Sequence, residues 1–164
     1  MTEPETVLSE LYVQPGESVI ASVPVVMRTV LGSCVGLTFL VRRLGIGALC
    51  HPMHPSCPGG PSAHISRTAG RRYVDFVVRD LARQLDALGA RRDEVEVKVF
   101  GGADVLAVSG ESTRPTVGAM NCESALRVLR EEDFQVAASC LGGTSGVNIM
   151  FHTGTGEVLL RRLT

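Results

Sequence analysis

The sequence predicts an α+β fold, or a layered α/β sandwich, in a single domain. Three observations carry this. Short aliphatic runs are separated by Gly, Pro and polar residues, the pattern of strands with tight connections. Only two segments carry helical periodicity, and they do not alternate regularly with the strands. The chain has 164 residues, 45% of them hydrophobic, which suits one domain with a real core and no disulfides. Aromatics are 4% and Trp is absent, so that core is aliphatic.

Along the chain, residues 1–6 are polar and expected to be loose, with the domain spanning 7–164. Residues 8–13 and 18–27 read as strands around a Pro15-Gly16 turn. Residues 35–41 form an apolar strand, the chain turns at Arg42 to Gly45, and residues 46–51 return as its antiparallel neighbour. Residues 52–61, with four prolines and two glycines, form a loop placed to wall the end of that hairpin. Residues 70–88 read as a helix, because Val74, Val77, Val78, Leu81, Leu85 and Leu88 recur at three- and four-residue steps. Gly89 stops it. Residues 95–100 are a strand and 110–115 a polar loop. Asn121 is the expected N-cap of a second helix ending near Glu132. Residues 134–139, 148–152 and 157–162 finish as strands, the last two joined by a turn at Thr153-Gly154-Thr155-Gly156.

Charge and composition exclude several function classes. Sixteen basic and 17 acidic residues give a net charge of −1, so neither nucleic acid nor an anionic membrane is an expected partner. The longest apolar stretch, residues 25–41, contains Arg28 and several Gly and polar residues, which rules against membrane insertion. The N-terminus lacks the basic and apolar regions of a signal peptide. The five cysteines are an odd number, and free thiols in a reducing cytoplasm are expected. No phosphate-binding loop, dinucleotide fingerprint or glycosidase-like carboxylate pair is present.

One constellation does carry chemistry. In Thr29-Val30-Leu31-Gly32-Ser33-Cys34-Val35-Gly36 a small-residue turn presents Cys34 at the start of one strand. His51 closes the next strand, so the hairpin brings the two ends side by side. A thiol beside an imidazole has the elements of a nucleophile and its base. Gly32 and Ser33 allow a tight turn whose N–H groups can face a developing oxyanion. A buried structural Cys at a strand start is the competing reading. A second cluster, Cys50 to Cys57, holds several metal-capable side chains, but Cys50 and His51 are adjacent on a strand and point to opposite faces. No metal or other cofactor is expected. Cys122, just inside the second helix, lacks a matched His, and Cys140 reads as packing. Asp75, Asp80, Glu94 and Glu96 read as solvated charges.

The segments TVLGSCVGLTFL and GALCHPM resemble the CheD family, the chemoreceptor glutamine deamidases of chemotaxis. Further resemblances follow in family order: Lys98-Val99-Phe100-Gly101-Gly102-Ala103, Val117-Gly118-Ala119-Met120-Asn121, the glycine loop at 141–146 and the closing hairpin from Thr153. The resemblance implies mixed β-sheets packed on each other and flanked by helices. It implies hydrolysis of glutamine side chains on methyl-accepting receptors through a thioester. By motif, the nucleophile is Cys34, the base His51 and the residue orienting the base Thr29, with Arg28 the neighbouring candidate. The implied partners are receptor cytoplasmic helices and a CheC-type phosphatase. A non-catalytic adaptor binding that phosphatase or the receptors is the alternative. Two departures stand out: Val147 follows Gly146 where the family usually has Arg, and Pro52-Met53-His54-Pro55 replaces its usual sequence after the His.

Overall fold

A computed structural model of the chain describes residues 4, 7–105 and 114–164. All but residue 4 of the expected loose N-terminus, and most of the expected 110–115 loop, fall outside the described residues. Nine strands are present among those described: β1 (Glu10–Tyr12), β2 (Ser18–Ala21), β3 (Val26–Leu31), β4 (Val35–Val41), β5 (Ile46–Cys50), β6 (Glu96–Gly101), β7 (Val136–Leu141), β8 (Val147–His152) and β9 (Val158–Arg162). They make two mixed sheets, one ordered β1-β3-β8-β9 and the other β2-β5-β4-β6-β7. Three helices accompany them: α1 (Arg67–Gly70), α2 (Val74–Ala87) and α3 (Val117–Glu131). The α+β class and the mixed, layered sheets are those expected.

Side-chain alternation builds the layers. On β4, Val35, Leu37, Phe39 and Val41 point to one side and join Val77, Val78, Leu81 and Leu85 of α2 and Val128 and Leu129 of α3. Leu40 of β4 and Leu49 of β5 point to the other side and meet Met27, Leu31, Ile149 and Phe151 of the smaller sheet. The layers are therefore helices, five-stranded sheet, four-stranded sheet. β4 is buried along its whole length because it is covered on both faces, which accounts for its unbroken apolar run.

Three expectations change. The strand read over 18–27 is two strands in different sheets. Pro24 offers no N–H to a ladder, and the chain crosses there from β2 to β3. β3 then runs on to Leu31, past the expected end at residue 27. The second helix begins four residues earlier than Asn121: its N-cap is Thr116, whose Oγ1 accepts the Ala119 N–H at 3.1 Å. Asp75 and Asp80 are buried, not solvated. Asp80 receives Gln84 Nε2 at 2.7 Å and pairs with Arg67 at 3.0 Å, tying α1 to α2. Asp75 accepts the Cys57 N–H at 2.9 Å.

Candidate active site

β4 and β5 form the expected hairpin, with Leu37 opposite Cys50 and Val41 opposite Ile46. Cys34 immediately precedes β4 and His51 immediately follows β5, at the same end of the hairpin. Cys50 faces the helices. His51 therefore faces the smaller sheet, as alternation requires. Cys34 packs against that same inter-sheet core. Both side chains thus point into the layer between the sheets.

β3 supplies the opposite wall. Met27, Thr29 and Leu31 face inward, and Thr29 is fully buried. Thr29 Oγ1 lies 2.7 Å from His51 Nδ1 and 2.7 Å from the Val13 carbonyl oxygen. The carbonyl can only accept, so the single hydroxyl hydrogen goes to it. Oγ1 then accepts from Nδ1–H. The network assigns His51 the Nδ1–H tautomer and leaves Nε2 with its lone pair. Arg28, the neighbouring candidate, points to the outer face of the sheet and pairs with Glu10 at 2.9 Å.

Glycines hold the Cys34 turn from below. Gly102 N–H donates to the Cys34 carbonyl at 2.8 Å, and Ala103 N–H to the Gly32 carbonyl at 2.9 Å. A Cβ on Gly101 would run into the Cys34 carbonyl oxygen, and Gly101 and Gly102 both have positive φ (95° and 66°). A Cβ on Gly118 would run into the carbonyls of Gly102 and Ala103, so only glycine lets α3 sit this close. Asp104 N–H in turn reaches the Gly143 carbonyl at 2.8 Å. The glycine motifs, scattered in sequence, converge under Cys34. Among the described residues, no backbone partner engages the Ser33 or Cys34 N–H.

The loop after His51 is pinned by hydrogen bonds. Met53 N–H donates to the Arg72 carbonyl at 2.7 Å, and Ser124 Oγ reaches the Pro55 carbonyl. Asn121 Nδ2 donates to the Met53 carbonyl at 3.1 Å and to the Ser33 carbonyl at 2.9 Å. Asn121 is thus a side chain of the site that was read as a helix cap. Its place five residues after Thr116, a residue type that also caps helices, was the available clue.

Electrostatics favour a neutral pair. Burial lowers the His51 pKa to about 4, partly offset by the Val13 carbonyl. Burial also raises the Cys34 thiol, against a smaller lowering by its own backbone. Cys50, fully enclosed, is pushed up to about 12. Cys122 is raised by burial as well. At neutral pH burial leaves the imidazole unprotonated and the thiol protonated. Val147, where the resemblance implied Arg, is buried between the sheets, opposite Leu31 and in one cluster with Ile149 and Phe151. That departure touches the core and not an exposed rim. No helix among the described residues is long and apolar enough to cross a membrane.

Comparisons with known proteins identify the family and the fold. A family model described as "CheD chemotactic sensory transduction" matches residues 58–162. A "Probable chemoreceptor glutamine deamidase CheD 2" of Geobacter sulfurreducens is 38% identical over 163 residues, covering 99% of this chain and 96% of the relative. A "Probable chemoreceptor glutamine deamidase CheD" of Maridesulfovibrio salexigens is 30% identical over 167 residues, covering 99% and 97%. Among solved structures, a hypothetical protein YfiH of Bacillus licheniformis shares the fold, with a TM-score of 0.51 and 6% identity over 77% of this chain and 51% of that one. On a matched family model and near-full-length identity of 30–38%, the chain belongs to the CheD family.

Proposed function

We propose that this protein hydrolyses glutamine side chains of chemoreceptor cytoplasmic helices to glutamate, with Cys34 as nucleophile, His51 as base and Thr29 orienting the imidazole. The observation that carries the reading is the Val13–Thr29–His51 chain of hydrogen bonds, which leaves the lone pair of the imidazole on Nε2. Nε2 takes the Cys34 proton as Sγ bonds to the amide carbon. The oxyanion forms at the Ser33 and Cys34 N–H groups. Nε2–H then protonates the amide nitrogen, the C–N bond breaks, and ammonia leaves a thioester. Water attacks the thioester with His51 again as base. The C–S bond breaks, giving glutamate and the free thiol.

A protein substrate is favoured over free glutamine. Arg28 is the cation nearest the pair in sequence and the natural grip for an α-carboxylate, but it is held on the outer face by Glu10. A receptor cytoplasmic fragment and free glutamine, at equal glutamine concentration, should be compared by ammonia release and by the mass change of amide-to-acid conversion. The fragment should turn over faster, and Cys34→Ala should abolish the reaction. Faster turnover of free glutamine rejects the receptor reading. Activity on neither, with Cys34 reduced and the protein folded, favours an adaptor that binds a CheC-type phosphatase.

A further inference from the structure

We propose that Asn121 is a positioning residue that sets Cys34 and His51 in register with each other; this rests on the Cys34–His51 reading above. Asn121 lies in the interior of α3 and is fully buried. Its amide nitrogen donates to the carbonyl of Ser33, the residue before Cys34, and to that of Met53, two residues after His51. Among the described residues it is the one side chain that bonds both loops. The other anchors act on one loop each: Gly102 and Ala103 on the Cys34 turn, Ser124 on the segment after His51.

The chemistry requires a carboxamide. Both partners are carbonyls, so the NH2 group must face them, and its two hydrogens serve one each. Asp would set an acceptor against two acceptors. Ser or Thr has one hydrogen and a shorter reach. The same orientation leaves Asn121 Oδ1 buried without a partner. An orphaned acceptor lowers stability. A residue kept only for packing at this position would be better apolar, so the two donated bonds are what the carboxamide supplies. α3 itself cannot drift, because Gly118 seats its first turn on the Gly102 and Ala103 carbonyls. Asn121 therefore carries a fixed helix position to both halves of the pair.

Asn121→Leu, nearly isosteric and apolar, and Asn121→Ser, smaller and free of overpacking, test this. The readouts are kcat and KM on a receptor fragment, thermal midpoint, and the pH dependence of Cys34 alkylation by iodoacetamide. Both variants should lower kcat about 10- to 100-fold with KM within about twofold, as a misplaced reacting pair does. Both should lose the His51-dependent part of alkylation at neutral pH. Leu129→Val, a core change on the same helix, should reduce the midpoint without lowering kcat when assayed well below it. Equal kcat loss in Leu129→Val, kcat within about twofold of the parent in both Asn121 variants, or failure of both to fold overturns the proposal. If Cys34 alkylation in the parent is indifferent to His51→Ala, the pair reading itself falls, and this inference with it. If alkylation depends on His51 but not on Asn121, only the inference falls.

Discussion

At Thr29 one hydroxyl hydrogen decides the state of the site. It goes to Val13, so the oxygen must accept from His51 and the ring keeps its lone pair on Nε2. Thr29→Val keeps the shape and removes the oxygen. It strands a buried N–H and a buried carbonyl, at a cost of about 1–3 kcal/mol in denaturant unfolding. It should reduce deamidation about 10- to 100-fold, since the ring is then free to rotate or change tautomer. Thr29→Ser retains the oxygen and should keep activity within about threefold, because the acceptor for Nδ1–H survives. Equal losses in the two variants would mean that the hydroxyl does not hold the imidazole. The placement of Cys34 and His51 at the same end of the hairpin was legible from the sequence. Thr29 came from family resemblance, because an inward Thr between Met27 and Leu31 breaks the apolar alternation that marks a strand.

Elements meet at the glycines. Gly102 has positive φ, and a Cβ there would strike Cys122 Sγ and the Gly118 carbonyl. Gly102→Ala should destabilise by about 2–4 kcal/mol, through backbone strain and displaced neighbours together. It should also slow Cys34 alkylation, since its N–H holds the Cys34 carbonyl. Gly142 has similar φ (81°) but open space around its missing Cβ. Gly142→Ala should therefore cost only the strain, about 1–2 kcal/mol, with alkylation of Cys34 unchanged. Chemical denaturation and timed alkylation separate the two cases. The hairpin and α2 were legible because their apolar periods are regular. The break at Pro24 and the start of α3 were not, since the apolar run continues on both sides of Pro24 and Asn121 also suits a cap by residue type.

The buried imidazole couples the whole molecule to pH. In the unfolded chain His51 gains its proton near 6.5, whereas in the folded protein burial delays this to about 4. Between those values the unfolded state binds the extra proton, so stability falls as pH falls through the window. The loss is on the order of 3 kcal/mol, complete by about pH 4. Urea midpoints from pH 7 to 4 should show the decline, and His51→Gln should flatten it. An unchanged slope in that variant would mean that other groups drive the acid loss. Glu94 acts in a separate, lower window, because its side-chain bond from Arg43 holds it down to about 2 against an ordinary 4.5. By itself the sequence determined the α+β class, the hairpin that carries Cys34 and His51, and the family. Each of these rests on local period, turn chemistry or ordered motifs. Only the tertiary structure decided that Thr29 reaches His51 from another sheet, that Asn121 joins two loops, and that Asp75, Asp80 and Val147 are buried. Each of those depends on residues far apart in the chain, and burial there is set by which layers pack together, which no local pattern encodes.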